Sequence, residues 1–319
     1  MYNAVIIGAG SIGALKPDKY DSPDTENILT IAHAFYNHPD INLIGIVDND
    51  IEKAILASKK WNTKAYTDIN YIKENIDIAA ICVPTDWHKS VIEEVLKYNP
   101  KIIMAEKPFC THLITAKHIN NLTNIPILID YIRRYTPQIQ ALRNALVSNI
   151  YGKIYHAKLT YTRGLKREAC HAIDLFNWIF GEFRTGRVLG YRDEALVDFD
   201  FNDKTYAVHL IYENCPHVFL CPVDGRDYAV FDIEIFTEKG KILIKEHSLK
   251  IEHFNVIPEK TYGNYMMLGD KFWEVKTDLK TALMNYVQNA IDVIEGKKKP
   301  ICDINDAIKV HEVYEKLGV

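Results

Sequence analysis

The strongest constraint on the fold lies in a glycine-rich motif near the start of the sequence. Residues 4–7 form an apolar run that leads into Gly8-Ala9-Gly10-Ser11-Ile12-Gly13. In a strand–turn–helix unit, the first glycine permits a tight turn, the second lets the backbone approach a pyrophosphate, and the third allows close packing. Backbone N–H groups of such a turn face the phosphates. The motif therefore predicts a dinucleotide site that includes Gly8, Gly10, Ser11, Ile12 and Gly13.

Strand and helix patterns alternate along the first part of the chain. Apolar runs typical of strands lie at residues 4–7, 42–47, 78–83 and 101–105, and helix-like stretches lie at residues 26–37, 50–60 and 88–98. This alternation is typical of a parallel sheet with helices on both faces. We therefore expect an α/β fold in which residues 1–125 form an N-terminal Rossmann domain with a doubly wound parallel sheet.

The pattern changes in the second part of the chain. After residue 151, strand-like runs with hairpin-style links follow one another, and residues 238–241 (Glu-Lys-Gly-Lys) are a turn signal. Two late helices are expected at residues 278–295 and 304–317. We expect residues 126–319 to form a C-terminal α+β domain with a large, open, mostly antiparallel sheet. The last helix of this domain can pack back on the first domain.

Composition and charge narrow the class of protein. The 319 residues suffice for about two domains, and 48% hydrophobic with 25% charged residues is typical of a soluble globular protein. The net charge of -4 argues against a nucleic-acid partner, and no apolar run reaches the roughly 18 residues of a membrane span. The six cysteines form no Cys-x-x-Cys pair and the histidines lack metal-ligand spacing. We expect a cytoplasmic protein without a metal.

Asp48 is the candidate residue for binding the ribose of the cofactor. It ends the second predicted strand, where a carboxylate accepts hydrogen bonds from ribose hydroxyls and repels a 2′-phosphate. This favours NAD over NADP. A helix cap for residues 50–60 is the alternative role. Asp48 lies farther from Gly13 than the usual spacing of about 20 residues, because a loop rich in proline and aspartate intervenes at residues 16–24. That loop is either a flap over the ligands or a surface insertion.

Two further strand ends carry candidate residues. Pro84 and Thr85 follow the third strand and are expected to form the wall beside the nicotinamide ribose, since ligands bind at strand ends in such sheets. His88 is expected either to touch the ligand or to cap the next helix. Glu106 and Lys107 follow the fourth strand, where charged groups must lie in an open cleft or be neutralised. The pattern predicts an amine beside a nicotinamide ring, and an exposed ion pair of the two residues is the alternative.

These motifs together resemble the glucose–fructose oxidoreductase/inositol dehydrogenase (Gfo/Idh/MocA) family. The resemblance rests on the glycine-rich motif, Val83-Pro84-Thr85…His88, Glu106-Lys107-Pro108 and His171-Ala172-Ile173-Asp174-Leu175…Trp178…Gly181. It covers most of the first 181 residues. It implies a Rossmann domain followed by a domain with an open antiparallel sheet. It also implies a homodimer or homotetramer assembled through that sheet.

The resemblance also implies catalytic roles. Lys107 would bind the reacting hydroxyl and assist proton transfer, since an ammonium stabilises the alkoxide-like oxygen left by hydride removal, and burial would lower the pKa of the lysine toward the working range. Glu106 would orient Lys107 or contact the nicotinamide. His171 would relay the substrate proton, with Asp174 beside it on the substrate side. The alternative for His171 is a helix-start residue without a catalytic role.

One departure from the family pattern affects the substrate. Arg167 stands where the family often has an aspartate, four residues before His171, and Arg163 and Lys166 add two more cations nearby. If these cations face the cleft, they favour an anionic substrate such as a sugar phosphate, nucleotide sugar or uronic acid. If they face outward, they form a solvated loop. Arg134 is a further substrate-binding candidate, with a structural ion pair as the alternative.

The sequence thus predicts an NAD-dependent oxidoreductase that acts on a secondary alcohol of a sugar, a sugar derivative or a nucleotide sugar. Two alternatives stay open. One is a redox-neutral glycosidase or epimerase that holds NAD throughout its cycle. The other is a non-catalytic NAD-binding regulator, which the missing aspartate favours.

Overall fold

The computed structural model describes residues 1–192 and 203–319. The chain forms two compact units. The first comprises Met1–Tyr135 and Lys280–Ile308, and the second comprises Thr136–Leu279 and Lys309–Val319. The sequence analysis placed the boundary after residue 125. The first unit instead continues to Tyr135 and also includes Lys280–Ile308.

The strands are β1 Tyr2–Ile7, β2 Ile41–Val47, β3 Ala65–Tyr66, β4 Ile78–Ile81, β5 Ile102–Ala105, β6 Ile127–Ile129, β7 Ile154–Tyr161, β8 Phe183–Arg192, β9 Thr205–Tyr212, β10 Cys215–Pro222, β11 Phe231–Thr237, β12 Gly240–Lys245, β13 Lys250–Pro258 and β14 Met266–Lys276. The α-helices are α1 Ile31–Asn37, α2 Ile51–Lys60, α3 His88–Val95, α4 Leu113–Leu122, α5 Pro137–Val147, α6 Cys170–Phe180, α7 Ala282–Ile294 and α8 Ile304–Leu317. Both sheets of the expected fold class are present, and the fold prediction is confirmed.

The first unit contains a six-stranded parallel sheet in the order β3-β2-β1-β4-β5-β6. The strands β4 and β5 are buried along their whole length, as expected for apolar runs covered on both faces. The strand order reverses between β1 and β4, so the carboxyl ends of these two strands open the crevice where ligands bind in doubly wound sheets. β6 belongs to this sheet, which explains why a boundary at residue 125 falls too early.

An inserted loop separates the glycine-rich turn from α1. The loop includes residues 16–24. Backbone hydrogen bonds join the residues before the loop to those after it. The N–H of Ile31 donates to the carbonyl of Ile12 at 3.0 Å, and the N–H of Ala32 donates to that of Gly13 at 2.9 Å. The first helix therefore rests on the glycine-rich turn, although the chain between them forms a separate loop.

Asp21 fixes the inserted loop from inside. Its buried carboxylate accepts hydrogen bonds from the N–H of Leu29 at 2.8 Å and the hydroxyl of Thr30 at 2.7 Å, and it lies 2.9 Å from Nδ1 of His33. Thr30 in turn caps α1 by accepting a hydrogen bond from the N–H of His33. The loop is thus tied down by buried polar contacts, and α1 is shorter than the helix expected over residues 26–37.

The second unit contains an eight-stranded sheet in the order β14-β13-β12-β11-β7-β10-β9-β8. Its pairs are antiparallel except for β7 with β10. Burial alternates along β11 and β12, because only one face of these strands packs against the core. Gly240 sits at the predicted turn with φ +144°, and a Cβ there would lie 2.0 Å from the carbonyl oxygen of Phe254.

Candidate functional site

The three glycines of the glycine-rich turn have two different roles. Two are required by close packing, and one leaves space for a ligand. A Cβ on Gly8 would lie 2.5 Å from the carbonyl oxygen of Cys82, and one on Gly13 would lie 1.9 Å from that of Gly8. No atom lies within 4 Å of a Cβ built on Gly10. Gly8 and Gly13 are therefore required by the fold itself, whereas Gly10 leaves its backbone open to a ligand. This matches the requirements of a bound pyrophosphate.

The two residues between the second and third glycines are exposed. Ser11 and Ile12 both lie on the outer side of the turn, and Nζ of Lys16 donates to the hydroxyl of Ser11 at 3.2 Å. The N–H groups of Ala14 and Leu15 donate to the carbonyl of Gly10 and close a helical turn. The inserted loop thus brings one cation to the turn that the sequence pattern alone did not indicate.

Asp48 supports the same turn. One carboxylate oxygen accepts a hydrogen bond from the N–H of Ala9 at 2.8 Å, and the other accepts from the N–H of Asp50 at 2.9 Å. The cap of α2 is Asp50 and not Asp48, because the Asp50 side chain accepts from the N–H of Glu52 and Lys53. Since each carboxylate oxygen has two acceptor positions, Asp48 retains capacity for ribose hydroxyls.

The end of β4 places Pro84 and Thr85 at the carboxyl edge of the parallel sheet, the first exposed and the second half-buried. His88 has a different role from either expected one. It is 1% exposed, with Nε2 2.9 Å from the carbonyl oxygen of Val83 and Nδ1 3.0 Å from that of Phe109. Burial lowers the pKa of His88, although the two carbonyl contacts act in the opposite direction. His88 therefore ties the end of β4 to the segment after β5, and its ring nitrogens do not face a ligand.

Glu106 and Asp130 occupy equivalent positions at the ends of β5 and β6. Ala105 pairs in register with Ile129, so the next residue of each strand lies beside the other. The two carboxyl groups therefore lie within hydrogen-bonding reach of each other. Burial first, and then the neighbouring Asp130 carboxylate, raise the pKa of Glu106 well above its usual range. The sequence analysis missed Asp130, although an acidic residue directly after an apolar strand was the signal used for Glu106.

Lys107 follows Glu106 at this edge and is half-buried. Its peptide bond to Pro108 is cis. The charge of Lys107 lowers the pKa of both Glu106 and Asp130, although burial outweighs it at each group, so the amine lies close to the carboxyl pair. The alternative of an exposed ion pair does not describe this arrangement, because both residues are half-buried and Oε1 of Glu106 is fully buried.

The second unit presents the histidine of the later motif on α6. His171 lies in the first turn of this helix and is 8% exposed, and Asp174 lies one turn later and is 1% exposed. Burial raises the pKa of the Tyr212 phenol well above its usual range, with smaller contributions from Cys215 and the Asp174 carboxylate. The structure thus places His171 and Asp174 on one helix, in the order that the motif predicts.

The cationic loop before α6 wraps around a carboxylate that the sequence analysis did not identify. Asp203 accepts hydrogen bonds from the backbone N–H of Lys166 at 3.1 Å and of Arg167 at 2.8 Å. Burial raises the pKa of Asp203. Arg163 is exposed and Arg167 is half-buried, and burial followed by the Arg163 charge lowers the pKa of Arg167. The cations therefore belong to one local cluster, without the full exposure of a solvated loop.

Arg134 requires a correction. Its side chain is 2% exposed, lies 3.2 Å from the carboxylate of Asp306 and donates to the carbonyl of Ile301 at 3.3 Å. These contacts join the turn Ile132–Tyr135 to the later segment of the first unit. We therefore assign Arg134 a structural role and not the expected substrate-binding role.

Three further observations concern metal binding, membrane insertion and a groove. No cluster of three or more metal-ligating side chains occurs within residues 1–192 and 203–319. In the same two ranges, no helix has both the length and the apolar character that crossing a bilayer requires. A groove of about 590 Å³ includes Pro100 and Pro126 in its lining. This groove lies where the chain enters β5 and β6, at the opposite sheet edge from Lys107.

Comparison with known proteins finds a family model that matches part of the first unit. Residues 2–124 match the GFO_IDH_MocA family model, described as an oxidoreductase family with an NAD-binding Rossmann fold. The prediction of NAD as cofactor is thereby confirmed. UDP-N-acetylglucosamine 3-dehydrogenase from Acidithiobacillus ferrooxidans is 23% identical over 143 residues, which are 44% of this chain and 40% of that protein. The chain thus matches less than half the length of this curated relative.

Solved structures extend the likeness over nearly the whole chain. An oxidoreductase from Agrobacterium radiobacter, in complex with NAD⁺, L-tartaric acid and magnesium, has a TM-score of 0.73 and 15% identity, covering 99% of this chain and 95% of that one. UDP-N-acetylglucosamine 3-dehydrogenase from A. ferrooxidans has a TM-score of 0.70 and 17% identity, covering 99% and 97%. A variant 3-ketoreductase from Actinomadura kijaniata, with TDP-benzene and NADP, has a TM-score of 0.73 and 12% identity, covering 99% and 96%. At such identities, these likenesses establish the shared fold.

Proposed function

We propose that the chain, whose residues 2–124 match the Gfo/Idh/MocA oxidoreductase family model, is a member of that family. It would transfer a hydride between NAD and a secondary alcohol of a sugar, a sugar derivative or a nucleotide sugar. The observation that carries the proposal is the position of Lys107. It follows β5 at the carboxyl edge of the parallel sheet, the edge at which Gly10 is open to a ligand. When bound, the nicotinamide supplies the acceptor or donor of the hydride.

The residues at the turn support NAD as the preferred cofactor. The open side of Gly10 would admit the pyrophosphate, with Ser11 and Ile12 beside it, and the Asp48 carboxylate would accept ribose hydroxyls. A 2′-phosphate would bring negative charge against Asp48. Lys53, the first cation after Asp48 in sequence, is paired with Asp50 at 3.3 Å. Lys53 is thus engaged by a carboxylate, and Lys16 at the turn donates to the Ser11 hydroxyl.

We propose Lys107 and His171 as catalytic residues. The Lys107 ammonium would hold the substrate oxygen and stabilise its negative charge while the hydride leaves, because a positioned cation stabilises developing negative charge. His171 would accept or return the hydroxyl proton, a role suited to imidazole at neutral pH. Asp174, on the same helix, would lie on the substrate side. Glu106, Pro84 and Thr85 would line the nicotinamide end of the site.

The cation cluster before α6 favours an anionic substrate. Arginine guanidinium groups bind phosphate and carboxylate through paired hydrogen bonds, and Arg163 and Arg167 lie in one cluster beside the start of α6. Two of the similar structures are a dehydrogenase named for UDP-N-acetylglucosamine and a ketoreductase crystallised with a TDP derivative. A nucleotide sugar is therefore the first class of substrate to test.

We further propose a cytoplasmic homodimer or homotetramer. All six cysteines are thiols, which suits a reducing compartment. The edge strand β14 exposes a group of large apolar side chains. They are Met266, Met267, Leu268 and Phe272. Exposed apolar groups of this size favour an interface with another chain.

The test is turnover by the wild type and by Lys107→Met with a panel of nucleotide sugars and uronic acids. The variant should retain NAD affinity by calorimetry and lose about 10²- to 10⁴-fold in kcat, the range typical of a proton-transfer residue. Lys59→Met, which removes an exposed lysine on α2, is the matched control and should behave as wild type. Unchanged turnover in Lys107→Met would eliminate the assignment.

The same assay separates the remaining candidates. Stoichiometric NADH with product supports the oxidoreductase. Conversion without net NADH, by protein that retains NAD through gel filtration, would identify a redox-neutral glycosidase or epimerase. NAD binding without turnover of any substrate in the panel would favour a regulator.

A further inference from the structure

Two carboxyl groups meet behind Lys107, at the ends of adjacent strands. The N–H of Asp130 donates to the carbonyl of Ala105 at 2.9 Å, which aligns Asp130 with Glu106. The two carboxyl groups lie within hydrogen-bonding reach of each other. Oε1 of Glu106 and Oδ1 of Asp130 are both buried without a hydrogen-bond partner among the described residues. One oxygen of each carboxyl group is thus shielded from water, and Asp130 is only 7% exposed, whereas Glu106 is half-buried.

A hydrogen bond between two carboxyl groups requires a proton. Two carboxylates have only acceptor oxygens, and two like charges in a buried site repel each other strongly. Burial, followed by the charge of Asp130, raises the pKa of Glu106 well above its usual range. The pair therefore keeps one proton at a pH where isolated carboxyl groups are ionised.

The surrounding charges determine which member of the pair holds the proton. Burial raises the pKa of Asp130, but the hydrogen bond from Glu106 and the charges of Lys107 and Arg133 oppose this effect. Asp130 is thus the better site for the negative charge, and Glu106 is the better site for the proton.

Two further titratable groups near the pair, a thiol and a phenol, are neutral. The Cys82 thiol and the Tyr286 phenol face both carboxyl groups, and burial raises the pKa of each well above its usual range. The Tyr286 hydroxyl donates to the carbonyl of Leu128 at 3.0 Å, which fixes the ring beside β6. One shared negative charge is therefore the only anion that these groups present to Lys107.

We propose that Glu106 and Asp130 form a carboxyl pair that shares one proton and positions Lys107 through its single negative charge. The role of Lys107 rests on the function proposed above, whereas the shared proton does not depend on it. Loss of the proton at alkaline pH would leave two adjacent carboxylates, break their hydrogen bond and displace the segment that carries Lys107. Asp130 acts through Lys107 and is thus a positioning residue.

Infrared spectroscopy of the protein without substrate tests the shared proton. The wild type at pH 7 should show the carbonyl stretch of a buried protonated carboxyl group, and this band should be absent in Asp130→Asn and in Glu106→Gln. Asp227→Asn, which removes an exposed carboxylate, should leave the band unchanged. If either pair variant does not fold, the pH dependence of the band in the wild type is the test. The band should then disappear only at a pH well above the range in which ordinary carboxyl groups ionise. No such band in the wild type at pH 7, or its persistence in both pair variants, would overturn the proposal.

The pH profile of kcat tests the positioning role. The wild type should lose activity on the alkaline side as the pair gives up its proton. Each pair variant retains one ionisable carboxyl group, so it should lose this alkaline limb and show a kcat lowered by up to about 100-fold at neutral pH, with KM little changed. If the infrared band is present but the pH profile of kcat is unchanged in both variants, the proposal that the pair positions Lys107 is overturned. If the wild type shows the band but turns over no substrate, the missing turnover refutes the proposed function. The proposal of a pair that shares one proton is then retained.

Discussion

Alanine substitutions at Gly10 and Gly13 should separate ligand access from folding. A Cβ on Gly10 meets no atom within 4 Å, and the backbone there is outside the left-handed region. Gly10→Ala should therefore leave the fold intact and raise the free energy of unfolding by about 0.4–1 kcal/mol, because alanine restricts the unfolded chain. The same methyl group would stand where a pyrophosphate approaches the backbone.

The expected loss of cofactor affinity follows from overpacking. Forcing an extra methyl group into a fitted contact costs about 1–3 kcal/mol, which is about a 5- to 150-fold weaker Kd for NAD. Gly13→Ala differs, because its Cβ would lie 1.9 Å from the carbonyl oxygen of Gly8. Backbone atoms cannot yield as a flexible side chain does, so this variant should be destabilised by about 3 kcal/mol or more.

Denaturant unfolding and titration calorimetry with NAD measure the two effects separately. The reasoning predicts a stable Gly10→Ala protein with weakened NAD binding and an unstable Gly13→Ala protein. A Gly10→Ala protein that binds NAD as the wild type does would refute the placement of the pyrophosphate at this turn. A destabilised Gly10→Ala protein would refute the open space beside it.

Two further predictions concern buried groups. Arg134→Met breaks the ion pair with Asp306, whose side chain is 20% exposed, so the loss should be near the lower end of the 3–5 kcal/mol typical of buried pairs; denaturant unfolding measures it, and a loss under about 1 kcal/mol would contradict the structural role. His253 is 6% exposed, stacks on Trp273, and has both ring nitrogens without a hydrogen-bond partner among the described residues. Burial lowers its pKa, so below about pH 6.5 the unfolded chain binds a proton that the folded chain resists, and stability should fall by up to about 1.4 kcal/mol per pH unit as the pH decreases. His253→Phe should remove this part of the slope, and an unchanged slope would contradict the reasoning.

Local motifs in the sequence predicted the parallel sheet and its ligand edge. The glycine-rich turn and the Glu106-Lys107 strand end carry their information within a few residues, and both are found at the ends of predicted strands. In the second sheet, the strand-like runs of the sequence lie at residues 154–161, 206–212, 218–221, 229–237 and 241–245. They correspond to β7 and β9–β12, so β8, β13 and β14 were missed. β14 lies at the edge of the sheet and is largely exposed, so it lacks the burial-driven alternation by which strands are recognised.

Long-range contacts account for the errors at individual residues. The sequence left open whether Arg134 binds substrate or forms an ion pair, because it does not show that Lys280–Ile308 returns to the first unit and brings Asp306 to it. The contact of Asp130 with Glu106 depends on the order of strands, which a strand pattern alone does not give. His88 serves neither expected role, because its partner Phe109 lies beyond the next strand.

The most direct test of the account is a crystal structure with NAD and a nucleotide-sugar substrate. The account predicts Nζ of Lys107 within hydrogen-bonding distance of the reacting hydroxyl, at about 2.6–3.2 Å, beside the nicotinamide ring. A Lys107 amine directed into solvent, with the hydroxyl held by other groups, would contradict it.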